Sequence, residues 1–344
     1  MLLFFNAPET LRGRIVRTAP LDWTSETGAA WALPPAAIVS PLAATCVVVA
    51  LAVGGLVALA VQRSRLTGTT LVAVWYWSVV CLVTIAGAEL LIALAAGQPA
   101  ASWVMPLRLL AATSSFCPTM ALLGAKRPQD RGWQFIVVAL WGVLSLPGFH
   151  WLLFGGVREM HPAQLGFFAI LVGVGLVNGT GTRYWPASVL YAAGQALLLA
   201  PFVWIVAPWI DPTVGSCAGL ASMIGGWWLM AIRWPPARSA HMGLDRVWFD
   251  FRDAFGAVWS LRVMERMNAS AAMYAWPVRL TWNGFVPYAS EQDEADGGPP
   301  VLQVPSAVEP SLRTLLRRFV SAEWIDERMN RDPSARQRAV AIET

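Results

Sequence analysis

Two charged residues interrupt long apolar stretches of this sequence and are its first candidates for chemistry. Glu89 lies in one stretch and Arg108 in the next. An ionisable side chain in hydrocarbon costs about 2.5 to 3.5 kcal/mol even on permissive insertion scales, so each needs a partner or a water-filled cavity. His150, which follows Pro147 and Gly148 in a later stretch, is expected at a similar depth. The pattern predicts a polar cluster of Glu89, Arg108 and His150.

This cluster has three open interpretations. A buried pair of Glu89 and Arg108 can fix the register of two neighbouring helices without binding anything. The same groups, with His150, can carry protons or hold a solute. The third possibility is that the side chains do not meet.

Histidine and cysteine offer little support for metal or nucleophilic chemistry. The cysteines lie singly in apolar stretches, and no C-x-x-C, G-x-S-x-G, H-E-x-x-H or P-loop pattern is present. They are Cys46, Cys81, Cys117 and Cys217. A metal shared by His150 and His161 would lack a nearby Asp or Cys ligand. The sequence therefore predicts no metal, no cofactor and no enzymatic centre.

Composition indicates which elements must position these residues. Of the 344 residues, 56% are hydrophobic and 13% are charged, and the mean hydropathy is +0.51. Soluble domains carry about 25% charged residues, which excludes a wholly soluble, single-core protein. About 20 apolar residues cross a bilayer, and seven such stretches are predicted. They cover residues 38–61, 70–96, 102–123, 133–154, 163–180, 185–209 and 214–232.

Charge placement predicts orientation and partners. Arg63, Arg65, Lys126 and Arg183 lie in alternate connections, and basic residues are retained on the cytoplasmic side. The N-terminus is therefore expected outside and the C-terminus in the cytoplasm. A single Lys beside 24 Arg indicates GC-rich bacterial coding, and with it a bacterial inner membrane. The net charge of +4 belongs to residues 37–232, so we expect a lipid bilayer as partner and no nucleic acid.

Proline and small residues predict the shape and packing of the helices. Pro118 and Pro147 each remove a backbone hydrogen bond within an apolar stretch, so both are predicted to kink their helices. The last stretch carries small residues at spacings that let another helix approach closely. These predicted packing residues are Gly215, Gly219, Ser222 and Gly226.

The residues after 232 predict a smaller, cytoplasmic region. Residues 233–289 have the pattern of an amphipathic helix followed by a short hairpin that turns at Asn283 and Gly284. The helix has an aromatic face that is expected to bind a partner, made of Trp248, Phe251, Phe255 and Trp259. Residues 290–306 predict an acidic Gly/Pro linker.

Residues 307–344 predict a second amphipathic helix and a frayed C-terminus. Leu312, Leu316 and Phe319 share one face of this helix, flanked by arginines. Such a face can rest on anionic lipid or a partner, or it can pack on its own domain. Both interpretations remain open from the sequence.

These patterns together predict an all-α integral membrane protein. It has an extracytoplasmic tail over 1–36, a seven-helix bundle over 37–232, and a small α+β or helical cytoplasmic region. The expected function is that of a non-catalytic scaffold or accessory subunit that recruits a membrane or cytoplasmic protein. The alternative is a proton-coupled or small-solute transporter that uses Glu89, Arg108 and His150.

Overall fold

The computed structural model describes residues 41–95, 102–126, 130–155, 160–232, 243–287 and 305–329. Three predicted segments lie outside these residues: the tail over 1–36, nearly all of the linker over 290–306, and the frayed end from residue 331.

Apolar helices form the first part of the described chain. In order they are α1 (Pro41–Arg63), α2 (Val72–Leu94), α3 (Val104–Ser114), α4 (Cys117–Leu123), α5 (Asp130–Phe154), α6 (Pro162–Gly179), α7 (Trp185–Leu199) and α8 (Pro212–Ala231). Their buried side chains form one core, in which Leu82, Leu109, Phe116, Leu220 and Met223 are almost fully enclosed.

Within the described residues, five helices are long and apolar enough to cross a membrane, which suggests a membrane location. They are α1, α2, α5, α6 and α8. The structure does not support all seven predicted spans, because the third and the sixth are not single long helices. The third is divided into α3 and α4, and α7 ends at Leu199.

Local sequence explains both interruptions. Pro118 cannot donate a backbone hydrogen bond, and the serines before it compete for backbone groups, so the helix stops at Ser114 and restarts at Cys117. After Leu199, Pro201 and Pro208 stand within short 3₁₀ turns. Apolar residues alone therefore do not guarantee a continuous helix.

A second core lies in the C-terminal part of the chain. Its elements are α9 (Gly243–Met273), β1 (Val278–Thr281), β2 (Gly284–Pro287), α10 (Val308–Leu316) and α11 (Ala322–Met329). The strands form an antiparallel pair in which Thr281 faces Gly284. The turn is therefore made by Trp282 and Asn283, one residue earlier than the predicted Asn283 and Gly284.

Helix α9 is broken at Gly256, where φ is +77° and ψ is −175°. Asn178 at the end of α6 fills the break, since a Cβ on Gly256 would lie 2.3 Å from Asn178 Nδ2. The backbone N–H of Val258 donates to Asn178 Oδ1 at 3.0 Å. A side chain from another helix thus caps the second half of α9.

The C-terminal region is attached to the same ends of several apolar helices. Thr70 N–H, at the start of α2, donates to Phe319 O at 2.9 Å. Trp259 Nε1 donates to Leu122 O, in the last turn of α4, at 3.0 Å. Together with Asn178, these contacts place the connection after α1 and the ends of α4 and α6 beside the C-terminal region.

Candidate functional site

The predicted ion pair is formed between α2 and α3. Arg108 Nε and Nη2 donate to Glu89 Oε1 and Oε2, each at 2.9 Å, and Nη2 also donates to Thr213 Oγ1 at 2.9 Å. The exposed fractions of Arg108 and Glu89 are 8% and 5%. Both carboxylate oxygens therefore face the guanidinium, and the N-terminal turn of α8 closes the pair.

His150 does not belong to this group, so the predicted three-residue cluster is corrected. His150 is exposed on α5 and its ring lies 5.3 Å from that of Phe154. Residues 130–154 remain helical through Pro147, and Gly148 lets α5 approach Leu110 of α3. Gly148 lies on the face of α5 that packs against α3, whereas His150 lies on a different face of the helix.

The break between α3 and α4 leaves a backbone carbonyl without a regular helical partner. Ser115 O accepts hydrogen bonds from Tyr191 Oη at 2.7 Å and from Gln195 Nε2 at 3.1 Å. Tyr191 and Gln195 lie one turn apart on α7. Two side chains therefore satisfy the carbonyl at the point where the predicted third span is broken.

A chamber lies directly beside this break. It has a volume of about 1870 Å³ and is lined by α1, α2, α4, α6, α7 and α8 and by α9 and α11 of the C-terminal region. Ligand pockets usually measure about 300 to 1,000 Å³, so this one has room for a ligand together with water. Ser78, Thr119, Tyr191 and Gln195 line its helical part, with Trp75 as an aromatic wall.

Charged residues line the mouth of the chamber, on the connections and the C-terminal region. Four arginines and four acids contribute, so the charges balance: Arg65, Arg183, Arg246, Arg328, Asp250, Asp253, Glu323 and Glu327. Among the described lining residues that belong to the helices α1, α2, α4, α6, α7 and α8 themselves, none is charged. The chamber is thus uncharged inside and polar at its mouth.

Arg183 connects the mouth of the chamber to α9. Its Nη2 lies 3.2 Å from Asp250 Oδ1, and its Nε lies 3.2 Å from Asp253 Oδ2. Asp250 also accepts from Arg328 Nε at 2.9 Å, and the buried Asp253 accepts from Arg252 Nη2 at 3.0 Å. Charge pairing therefore holds the connection between α6 and α7 against both α9 and α11.

Glu323, on the mouth side of α11, is fully exposed. Hydrogen bonds from its own backbone N–H and from the Ser321 hydroxyl favour the ionised carboxylate and hold its pKa below the usual value. Ser321 Oγ also accepts from the backbone N–H of Trp324, which caps the helix.

The predicted partner-binding face of the tail is covered by the chain itself. Trp248, Phe251, Phe255 and Trp259 are all buried. Phe319 packs edge-on against the last three of them, at ring-centroid distances of 5.3, 5.4 and 4.9 Å. The face is therefore the core of the C-terminal region, and α10 uses Leu312 and Leu316 to pack on this domain.

The predicted small-residue face of α8 lies against α7. A Cβ added at Gly219 would lie 2.9 Å from Gly194 O, one added at Gly226 would lie 2.9 Å from Ala187 O, and Gly215 is close to Leu197 O. Ser222 Oγ donates to Leu190 O at 2.7 Å. Close backbone contact at this seam helps to form the wall of the chamber.

Metal-ligating side chains are not gathered anywhere in the described part of the chain: no group of three His, Cys, Asp or Glu residues could hold an ion there. All four cysteines are free thiols. The arrangement that the described residues offer to a ligand is the chamber, whose volume can hold a small molecule.

The chamber was not predicted from the sequence. Tyr191 and Gln195, at i and i+4 in an apolar helix, were the available signal, since uncharged polar side chains in such a helix require partners. Gln62 is a second such signal at the end of α1.

No family model, no curated protein and no solved structure matches this chain.

Proposed function

We propose that this protein is a non-catalytic, multi-pass membrane protein that binds a small solute in the chamber. The observation that carries the proposal is the helix break between α3 and α4, where Ser115 O accepts from Tyr191 and Gln195 of the chamber lining. Irregular backbone at membrane depth is tolerated where it is buried in protein or lines a cavity, and broken helices form the binding sites of many transporters.

The proposal includes seven spans, with α3 and α4 together as the third and with α7 and the turns after it as the sixth. The contacts of the C-terminal region support this count. They join the connection after α1 to the ends of α4 and α6, so the chain must cross and return between those points. Residues 104–123 are the segment available for one of those crossings. Residues 185–209 are available for another, because Arg183 before α7 contacts α9 and Arg65 donates to Ala231 O at the end of α8.

The orientation in the proposal has the N-terminus outside and the C-terminus in the cytoplasm of a bacterium, at the inner membrane. Arg63, Arg65 and Arg183 support it, because they lie on the side that carries the C-terminal region. Arg65 Nη2 also donates to Ala231 O at 2.6 Å. This carbonyl lies at the C-terminal end of α8, where the helix dipole makes a positive charge favourable.

Transport through the Glu89 and Arg108 pair receives less support than binding in the chamber. The two charges satisfy each other, Thr213 closes the pair, and neither residue lines the chamber. Fixing the register of α2, α3 and α8 is the role that this geometry favours.

A reactive thiol at the chamber wall tests the proposal. We would replace the accessible Cys46 and Cys217 by Ser, introduce Thr119→Cys, and treat membrane vesicles of either orientation with an impermeant thiol reagent. The expected result is labelling from the cytoplasmic side only. Ser145→Cys is the matched control, because Ser145 is buried between α5 and α3 and does not line the chamber. Thr119→Cys that reacts no faster than Ser145→Cys from either side would dismiss a solute chamber.

A scaffold or accessory-subunit role is the second candidate, and one observation favours it. Helix α6 is largely exposed, and at Gly166 and Gly173, two turns apart on it, an added Cβ would meet no atom within 4 Å. Another protein's helix could approach this side closely. Purification in mild detergent with a stoichiometric membrane partner that Gly173→Leu releases would support this role, and a lone monomer would count against it.

A further inference from the structure

The orientation of two glutamine side chains indicates what the chamber binds. Gln195 Nε2 donates to Ser115 O at 3.1 Å, and Gln62 Nε2 donates to Trp227 O at 2.6 Å. A backbone carbonyl can only accept, so the group that faces it must be the NH₂ end of each amide. The carbonyl oxygens Gln195 Oε1 and Gln62 Oε1 are therefore the acceptors that these side chains offer to a ligand, beside the second hydrogen of each NH₂ group.

Three of the donors that line the chamber already have partners. Tyr191 Oη gives its only hydrogen to Ser115 O, Trp75 Nε1 donates to Leu59 O at 2.7 Å, and Ser78 Oγ donates to Val74 O at 2.9 Å. These lining groups cannot donate to a ligand without giving up a backbone carbonyl. The glutamine oxygens instead favour a ligand that brings hydrogens of its own.

The aromatic rings of the lining and the charges of its helices indicate the shape and the charge of the ligand. Trp75, Tyr191 and Trp227 line the chamber, and the last two rings lie with centroids 6.3 Å apart. Ring faces and amide oxygens both carry partial negative charge, which disfavours an anion. Among the described lining residues that belong to the helices α1, α2, α4, α6, α7 and α8 themselves, no cation offsets this effect.

We infer that the helical part of the chamber binds a small, largely apolar molecule that donates a hydrogen bond and carries no negative charge. This inference rests on the proposed solute chamber and specifies its ligand class. The ligand's hydroxyl or N–H would be held by Gln195 Oε1 or Gln62 Oε1, and its apolar body would lie between the aromatic rings.

Three related probes separate these features, with Thr119→Cys as the reporter in the background without Cys46 and Cys217. Indole has an N–H donor, 1-methylindole has the same ring system without it, and indole-3-carboxylate adds a negative charge. We expect indole to slow thiol labelling at concentrations about two- to tenfold lower than 1-methylindole requires, which is the effect of one net hydrogen bond. Indole-3-carboxylate is expected to give no protection.

Variants of the glutamines complete the test. Gln195→Met keeps the length of the side chain but removes the acceptor, and with Gln62→Met it should abolish the advantage of indole over 1-methylindole. Gln164→Met is the matched control, since Gln164 is exposed at the start of α6 and should leave the advantage unchanged. In Gln195→Met, Tyr191 Oη still donates to Ser115 O, so this carbonyl keeps a partner and we expect the variant to fold.

The outcomes distinguish the inference from the proposed function. Equal protection by indole and 1-methylindole would overturn the donor requirement while leaving a solute chamber in place. Protection by indole-3-carboxylate would overturn the exclusion of anions. Labelling that none of the probes slows would overturn the inferred ligand class, whereas a thiol that never reacts would overturn the chamber itself.

Discussion

Single residues determine how the charges inside the helix bundle are tolerated. Arg108 uses Nε and Nη2 on both oxygens of Glu89, and its remaining contact is Thr213. A bidentate contact of this kind fixes the relative orientation of the two side chains as well as pairing their charges. The cost of burying both ions is offset only while both are present, so the pair behaves as a unit.

Removing one member of the pair should therefore harm folding more than removing both. Glu89→Gln and Arg108→Leu are each expected to lower the free energy of unfolding by about 3 to 5 kcal/mol, because each leaves an unpaired buried charge. The double variant should recover a large part of that loss. Thermal unfolding in detergent measures the effect, with the exposed His150→Ala as the control that should change little. Strictly additive losses would show that the two charges do not depend on each other.

Glu323 gives the C-terminal region a dependence on acid. Its pKa is lower in the folded protein than in the unfolded chain, so its contribution is complete above the unfolded pKa and is lost as pH falls through the folded pKa. We expect α11 to loosen in that acidic range, and Glu323→Gln to remove this part of the pH dependence. Limited proteolysis of the C-terminal region across an acid series measures it. Wild-type and Glu323→Gln profiles of the same shape would contradict the assignment.

At the scale of elements, the broken helices explain how the two parts of the chain fit together. The α3–α4 break directs a carbonyl to α7, and the α9 break receives Asn178 from α6. Helix α8 approaches α7 through Gly219 and Gly226, where even a methyl group would contact backbone oxygen at 2.9 Å. Irregular backbone and small residues are used here where one helix must approach another.

The break in α9 should be sensitive to any side chain. Gly256 has a backbone conformation that is essentially restricted to glycine, and costs of about 1 to 3 kcal/mol are typical for other residues even without a clash. Gly256→Ala would also bring Cβ against Asn178, so we expect the C-terminal region to become protease-sensitive. Gly166→Ala on α6 has open space and helical backbone, and it should leave the digestion pattern unchanged. An intact Gly256→Ala protein would show that the break can relax.

At the scale of the whole molecule, the C-terminal region and the ends of the apolar helices together enclose the chamber. Its helical lining is uncharged, and its mouth is lined by equal numbers of arginines and acids. Arg183, Asp250 and Arg328 connect three different elements across that mouth. A ligand that enters from the side of the C-terminal region would therefore pass a balanced charged rim before it reaches the aromatic wall.

The proposed seven-span topology predicts which connections share a side. Thr67 and Trp209 are both exposed, and in the proposed topology five spans separate them, with α3 and α4 counted as one. Because five is odd, thiols introduced at these two positions, in the background without Cys46 and Cys217, should react from opposite sides of the membrane. His161→Cys should react on the side of Trp209. If Trp209→Cys reacted from the cytoplasmic side with Thr67→Cys, α7 would not be a span.

Much of this fold could be predicted from the sequence because it depends on local pattern. Apolar length indicated the membrane-like all-α part, and the alternation after Pro277 indicated two strands that do pair. The meeting of Glu89 and Arg108 also follows from simple chemistry, since two opposite charges lie on consecutive apolar helices near their shared connection.

Tertiary structure alone decided which distant residues meet. Rotation of α5 about its axis leaves His150 outside, the packing of α8 brings Thr213 to Arg108, and neither orientation is encoded by hydrophobic periodicity. The aromatic face of α9 is amphipathic in any arrangement, but only the folded chain shows Phe319 covering it. The chamber likewise arises between helices far apart in sequence, whose packing geometry a one-dimensional pattern does not contain.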